Sequence, residues 1–240
     1  MTKSRQPENG YSLIELLVAT VLFTIIAGTI FSLLFGAQLR YSSESGLTTA
    51  FQQANVAIDQ ITRDIHSAGY PPPSSFAPGV APNNPQLVAL PFSWSPGYTN
   101  VPPTPCTVGP GGTCAVPGDY DLILETDTGD GKGKGVQWIR YSLQGTTLMR
   151  GMTPKIQFAD PVASTSTNVM LPYLDNVMNG PGNSSLPIFS YRYDCIQPLP
   201  SQPSNICKVN IALIVQAAQP DPQTGQFRTI RLTGQAALFN

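Results

Sequence analysis

From Leu16 to Leu39 the chain runs 24 residues without a charge. At about 1.5 Å per residue, a helix over this run spans roughly 36 Å, enough to cross a bilayer core of about 30 Å. Within the wider apolar block that starts at Tyr11, the one charge is Glu15. Beyond Arg40 the pattern changes. Apolar residues recur at Leu47, Phe51, Ala54, Ile58, Ile61, Ile65 and Ala68, in steps of four and three, which predicts an amphipathic helix. Gln52, Gln53, Asn55, Asp59, Gln60, Arg63 and Asp64 lie between them and read as a solvated face. Gly69 fits a helix C-terminal cap, and Pro71-Pro72-Pro73 forbids continuation. The expectation is one helix from Tyr11 to Ala68, 58 residues and roughly 87 Å long. Gly28, Gly36 and Gly46 are weak points for a bend or local melting. A coiled-coil seam would use the same stripe, but packing on a sheet is preferred because a β-rich segment follows.

That segment is read from alternation and turn residues. Residues 71 to 118 are rich in Pro, Gly and Ser and predict a long, partly structured excursion with one short strand, Leu87 to Trp94. DLILET (Asp121 to Thr126) alternates as a strand, and VQWIRYSL and TLMRGM follow as a hairpin turning at Gln144-Gly145. LPYLDNV (Leu171 to Val177) and PIFSYRYD (Pro187 to Asp194) come next. VNIALIVQAA (Val209 to Ala218) and FRTIRLTGQAALFN (Phe227 to Asn240) form a closing hairpin around PDPQTG. The fold class is α+β: a long N-terminal helical spine packed on an antiparallel β-sheet domain. Its expected divisions are 1–10, 11–39, 40–69 and 70–240.

Composition narrows the chemistry. The 24 prolines and 21 glycines among 240 residues suit a loop-rich β domain. Net charge is −1 and 11% of residues are charged, without the basic stripe that nucleic acid would call for. The leader MTKSRQPENG carries Lys3 and Arg5, which keep it on the cytoplasmic side and send the remainder across. In an exported domain the four cysteines fit disulfides. Three connectivities are open. Cys106–Cys114 and Cys195–Cys207 are favoured, because each closes a short loop containing Gly or Pro. No CxxC spacing is present and His66 is the only histidine, so zinc is not expected. Asp127 and Asp130 invite a calcium reading. Gly129 and Gly131 occupy alternate positions where an EF-hand needs oxygen ligands, so a hairpin tip is preferred.

Gly10 and Tyr11 lie before the apolar core, the reverse of a secretory signal, whose cleavage site follows it. The run Gly10-Tyr11-Ser12-Leu13-Ile14-Glu15-Leu16-Leu17-Val18-Ala19-Thr20 resembles the type III signal of type IV pilins and pseudopilins. Tyr11 stands where the family usually has phenylalanine. The resemblance implies that a prepilin peptidase cuts after Gly10 and methylates Tyr11, making Glu15 the fifth mature residue. It also implies that Glu15 pairs with a neighbour's freed N-terminus, and that partners are other pilins, an inner-membrane assembly platform and, before assembly, lipid. DIHSAGY (Asp64 to Tyr70) is similar to a box in W-type minor pilins, and J-type minor pseudopilins have a related plan.

The expected function is therefore a minor pilin that primes or joins a type IV pilus. The alternative is a J-type pseudopilin of a type II secretion system. Glu15 argues against the extreme tip role, because pseudopilins there usually lack the glutamate. No cofactor is expected. An enzyme is disfavoured: His66 has no GxSxG nucleophile motif near it, and Asp and Glu are sparse and mostly in turns. An adhesive role for residues 71–118 is compatible with the leading reading.

Overall fold

The computed structural model describes residues 12–79, 85–94, 116–127, 135–155, 170–193, 195 and 203–238. One helix, α1, runs from Leu13 to Ser67, 55 residues and about 82 Å. It continues through Gly28, Gly36 and Gly46 without a break, so the expected weak points are helical. No heavy atom stands within 4 Å of a Cβ built on any of the three. The helix stops at Ala68, whose N–H donates to the Ile65 carbonyl at 3.1 Å. Gly69 follows at φ +83°, and a Cβ there would meet Pro91 Cγ at 2.9 Å. Glycine is thus required at this position by backbone conformation and by space.

Seven strands follow: β1 (Asp121–Thr126), β2 (Gln137–Gln144), β3 (Thr147–Pro154), β4 (Met170–Leu174), β5 (Phe189–Arg192), β6 (Lys208–Pro220) and β7 (Phe227–Ala237). The expected sheet is in fact two antiparallel sheets, ordered β1-β2-β3-β4 and β5-β6-β7. Residues 176–179 stitch them together. Gln216 donates to the Asn176 carbonyl at 2.9 Å and Met178 to the Ile214 carbonyl at 2.8 Å. The fully buried Asn179 accepts the Ile214 N–H at 2.8 Å and donates to the Ala212 carbonyl at 2.9 Å.

The second half of α1 lies on this surface, mainly over β6 and β7. Ala50, Ala54, Ala57, Ile58, Ile61 and Ile65 are buried and share a core with Leu122, Leu124, Val209, Ile211, Leu213 and Val215. Two stripe residues depart from expectation: Leu47 is half-buried and Phe51 exposed. The contact face is turned toward alanines because helix and sheet approach closely. A Cβ on Gly234 of β7 would come within 2.6 Å of Ile58 Cγ2.

Two further expectations change. Leu87–Trp94 is not a strand. Pro85–Leu87 is a 3-10 turn, and the segment then bridges β1 at Phe92 opposite Leu124. All six β1 residues are buried, because this irregular segment covers the edge and face that alternation would leave to solvent.

Candidate functional site

The helix has two unlike halves. From Ser12 to Ser42 no residue is buried, and the first buried helical residue is Ser43. Leu13, Phe23, Phe31 and Leu33 are each more than 70% exposed. Such an apolar surface needs a nonaqueous partner. By length and composition this helix can cross a membrane. Its three threonine hydroxyls are satisfied internally. Thr20, Thr24 and Thr29 donate to the carbonyls of Leu17, Val21 and Ile26 at 2.9, 2.8 and 2.8 Å, as a lipid-facing helix requires.

Glu15 lies in the first turn, where the helix dipole favours a carboxylate. Its Oε2 accepts the Ser12 N–H at 3.1 Å. A carboxylate offers about four lone-pair sites, so this bond leaves acceptor capacity for another donor at the exposed helix start. Gly10 and Tyr11, the expected cleavage and methylation positions, lie outside the described residues.

The DIHSAGY box anchors the other end. Asp64, expected on the solvated face, is 7% exposed. Its carboxylate accepts the Tyr141 hydroxyl, Arg150 Nη2 at 2.9 Å and Gln60 Nε2 at 2.8 Å. Burial, followed by the Asp64 charge, raises the Tyr141 pKa and keeps the phenol protonated. The signal was present in the sequence, because Asp64 follows Ile61 by three and so falls on the buried stripe. Gly69 donates to the Glu125 carbonyl at 2.8 Å, and Asp127 to the Tyr70 carbonyl at 2.9 Å. Thr126 Oγ1 donates to the Ser67 carbonyl at 2.8 Å. The box thus runs along the end of β1. His66 is exposed on the helix.

Two buried ion pairs stiffen the sheet beneath. Arg140 grips Asp121 with Nε at 3.2 Å and Nη2 at 2.9 Å. Glu125 accepts Lys155 Nζ at 2.7 Å, Trp138 Nε1 at 3.0 Å, the Leu90 N–H at 2.9 Å and the Ser93 hydroxyl. Burial pushes the Asp121 carboxyl up to about 7, against the opposing pull of Arg140 and Ser142.

Cys195 and Cys207 form a disulfide, one of the two local pairs favoured from sequence. Cys106 and Cys114 lie outside the described residues, as does Asp130. Asp127 is held by the box through its backbone. Among the described residues no group of three His, Cys, Asp or Glu side chains is gathered as for a metal. A cleft of about 610 Å³ opens between the helix at Tyr41–Gln53 and β6 at Val215–Gln219, lined mostly by hydroxyls and amides.

Residues 5–31 match the family described as the prokaryotic N-terminal methylation motif. No curated protein matches the chain. The motif is that of a class of structural subunits processed by prepilin peptidase. Together with an exposed apolar half-helix and a half-helix docked on antiparallel sheets, it supports a type IV pilin-like protein.

Proposed function

We propose that this chain is a minor pilin of the W-like class that primes or joins type IV pilus assembly. The observation that carries the reading is the division of one helix at Ser43. The half before it is apolar, exposed and headed by Glu15, and the half after it is buried on a sheet. In this reading residues 1–10 are removed as a leader and Tyr11 becomes the methylated N-terminus. Residues 11–39 hold the subunit in the inner membrane and then enter the filament core. Residues 40–69 carry the exported domain, 70–240, on the outside. The box at Asp64–Tyr70 favours the pilus over a secretion pseudopilus. The role is mechanical, not enzymatic.

Glu15 would receive the positive N-terminus of a neighbour. Before cleavage that nitrogen belongs to an amide, so cutting must precede assembly. An acidic residue at the centre of a membrane helix costs about 2.5–3.5 kcal/mol to insert and less near the interface. Glu15→Leu should therefore be inserted and processed at least as well as wild type, yet fail to enter or prime filaments. Immunoblots of membranes, with piliation measured alongside, check this. Normal piliation by the variant would reduce Glu15 to a tolerated charge. Gly10→Val should retain the leader, read by mass spectrometry of the membrane protein. A native chain that keeps Met1 would remove the processing step.

A further inference from the structure

The β6–β7 hairpin descends beside the spine toward its apolar end. Gly234 lies against Ile58 and is paired with Ile211 in the ladder. At the other end, the Ser42 hydroxyl donates to Gln219 Oε1 at 2.5 Å. Between these contacts the helix passes 16 residues, about 24 Å, and β6 passes eight, bulged between Gln216 and Pro220 and so somewhat less than about 26 Å. The two axes therefore run side by side in opposite directions. The turn Asp221–Gln226 lies beyond the Gln219 contact. Counted along β7, Gly234 to Phe227 is seven residues, about 23 Å, which puts Phe227 near the level of Glu44, where Arg228 meets the helix, and the turn beyond it toward Arg40 and the end of the uncharged run.

The chemistry of this level suits a bilayer surface. Arg40 and Tyr41 follow the uncharged run, and Tyr41 is 78% exposed. Phe227, paired with Pro220 at the start of β7, is 49% exposed. Tyrosine and tryptophan rings collect at membrane interfaces, and a long arginine side chain near a helix end reaches out to the headgroups. The turn itself presents Pro222, Gln223, Thr224 and Gln226, which are neutral. Its one acid is turned inward. Asp221 accepts the N–H groups of Gln223 and Thr224 at 2.8 and 3.4 Å and pairs with Arg228 at 2.9 Å. Arg228 also reaches Glu44 at 2.7 Å, tying the tip to the helix. Arg40, Glu44, Asp221 and Arg228 sum to zero charge, so contact with lipid does not depend on anionic headgroups.

We propose that the β6–β7 hairpin tip rests in the phospholipid headgroup layer, with Phe227 and Tyr41 at the interface. There it sets the depth at which the spine sits before assembly. The inference rests on the membrane reading given above. The headgroup layer is about 5–8 Å thick on each side, which matches the reach of the tip.

The test reconstitutes the full chain in phosphatidylcholine vesicles brominated at shallow acyl positions. Phe227→Trp, Phe31→Trp and Phe51→Trp are each compared with the emission of the buried Trp94 and Trp138. Phe31 lies within the span, and Phe51 about 18 Å above its end. The expected result is loss of the added emission at positions 227 and 31 and retention at 51. Quenching at 31 with position 227 as bright as 51 overturns the inference and leaves the membrane helix intact. Equal quenching at 227 and 51 overturns it too, because the domain would then lie flat on the vesicle. An unquenched position 31 removes the membrane reading and this inference with it.

Discussion

Two glycines show how one substitution has opposite signs at different places. Gly46 sits half-buried at the edge of the cleft, with no atom within 4 Å of an added Cβ. Gly46→Ala should stabilise the fold by up to about 1 kcal/mol through helix propensity. Gly234→Ala would drive a methyl into Ile58 Cγ2 at 2.6 Å and should destabilise by about 1–3 kcal/mol. Thermal unfolding of the full chain in detergent measures both. Ile58→Ala should recover part of the Gly234→Ala loss if the clash is the cause. Titration gives a second prediction. Asp121 is raised in the fold to about 7 by burial, so its contribution is whole below about pH 4, its unfolded range. It is lost as pH rises toward 7. Asp221 is lowered by the Gln223 and Thr224 N–H groups and Arg228. Its contribution is present above pH 4 and lost as pH falls below that. Melting temperature against pH should show both slopes, and Asp121→Asn should flatten only the upper one.

Among the elements, the strands that close the molecule are held at their root by covalent and ladder bonds together. Cys207 donates to the Arg192 carbonyl at 3.0 Å and accepts from Leu238 at 3.1 Å. It is also joined to Cys195 across a separation of 12 residues. A ring of that size contributes at most about 2–3 kcal/mol in the chain-entropy picture. Replacing both cysteines by serine should lower stability by up to that amount while leaving the β6–β7 ladder in place, read by unfolding and circular dichroism. Peptide mapping without reduction should recover Cys195 with Cys207, and should recover Cys106 with Cys114 as the other proposed local pair.

At the scale of the molecule, a rod about 82 Å long carries a domain on one half and presents an apolar surface on the other. The domain is fixed to the rod at both ends of the docked half. Asp64 meets Tyr141 and Arg150 at the far end, and Glu44 meets Arg228 near the free half. The near pair is solvent-exposed and contributes little by itself. The hold there is shared with Ser42–Gln219 and the apolar contacts above it. Such a rod ties the position of its apolar half to that of the domain.

The spine, its end at Gly69 and most strands were legible in the sequence, because each rests on local rules. Uncharged length selects an apolar helix long enough to cross a bilayer, spacing of three and four selects an amphipathic one, and alternation with Gly turns selects hairpins. Glu15 stands out by the same kind of rule, as a single charge in an apolar run. Tertiary structure decided what depends on distant partners. Asp64 is buried because Tyr141 and Arg150 come to meet it from β2 and β3. β1 is covered on both faces because residues 88–94 fold back over it. The two sheets are joined by the stitch at 176–179, which no periodicity encodes. Ile58 of the helix and the lone glycine of β7 select each other across 176 residues of chain. A pattern read along one strand carries no information about that separation.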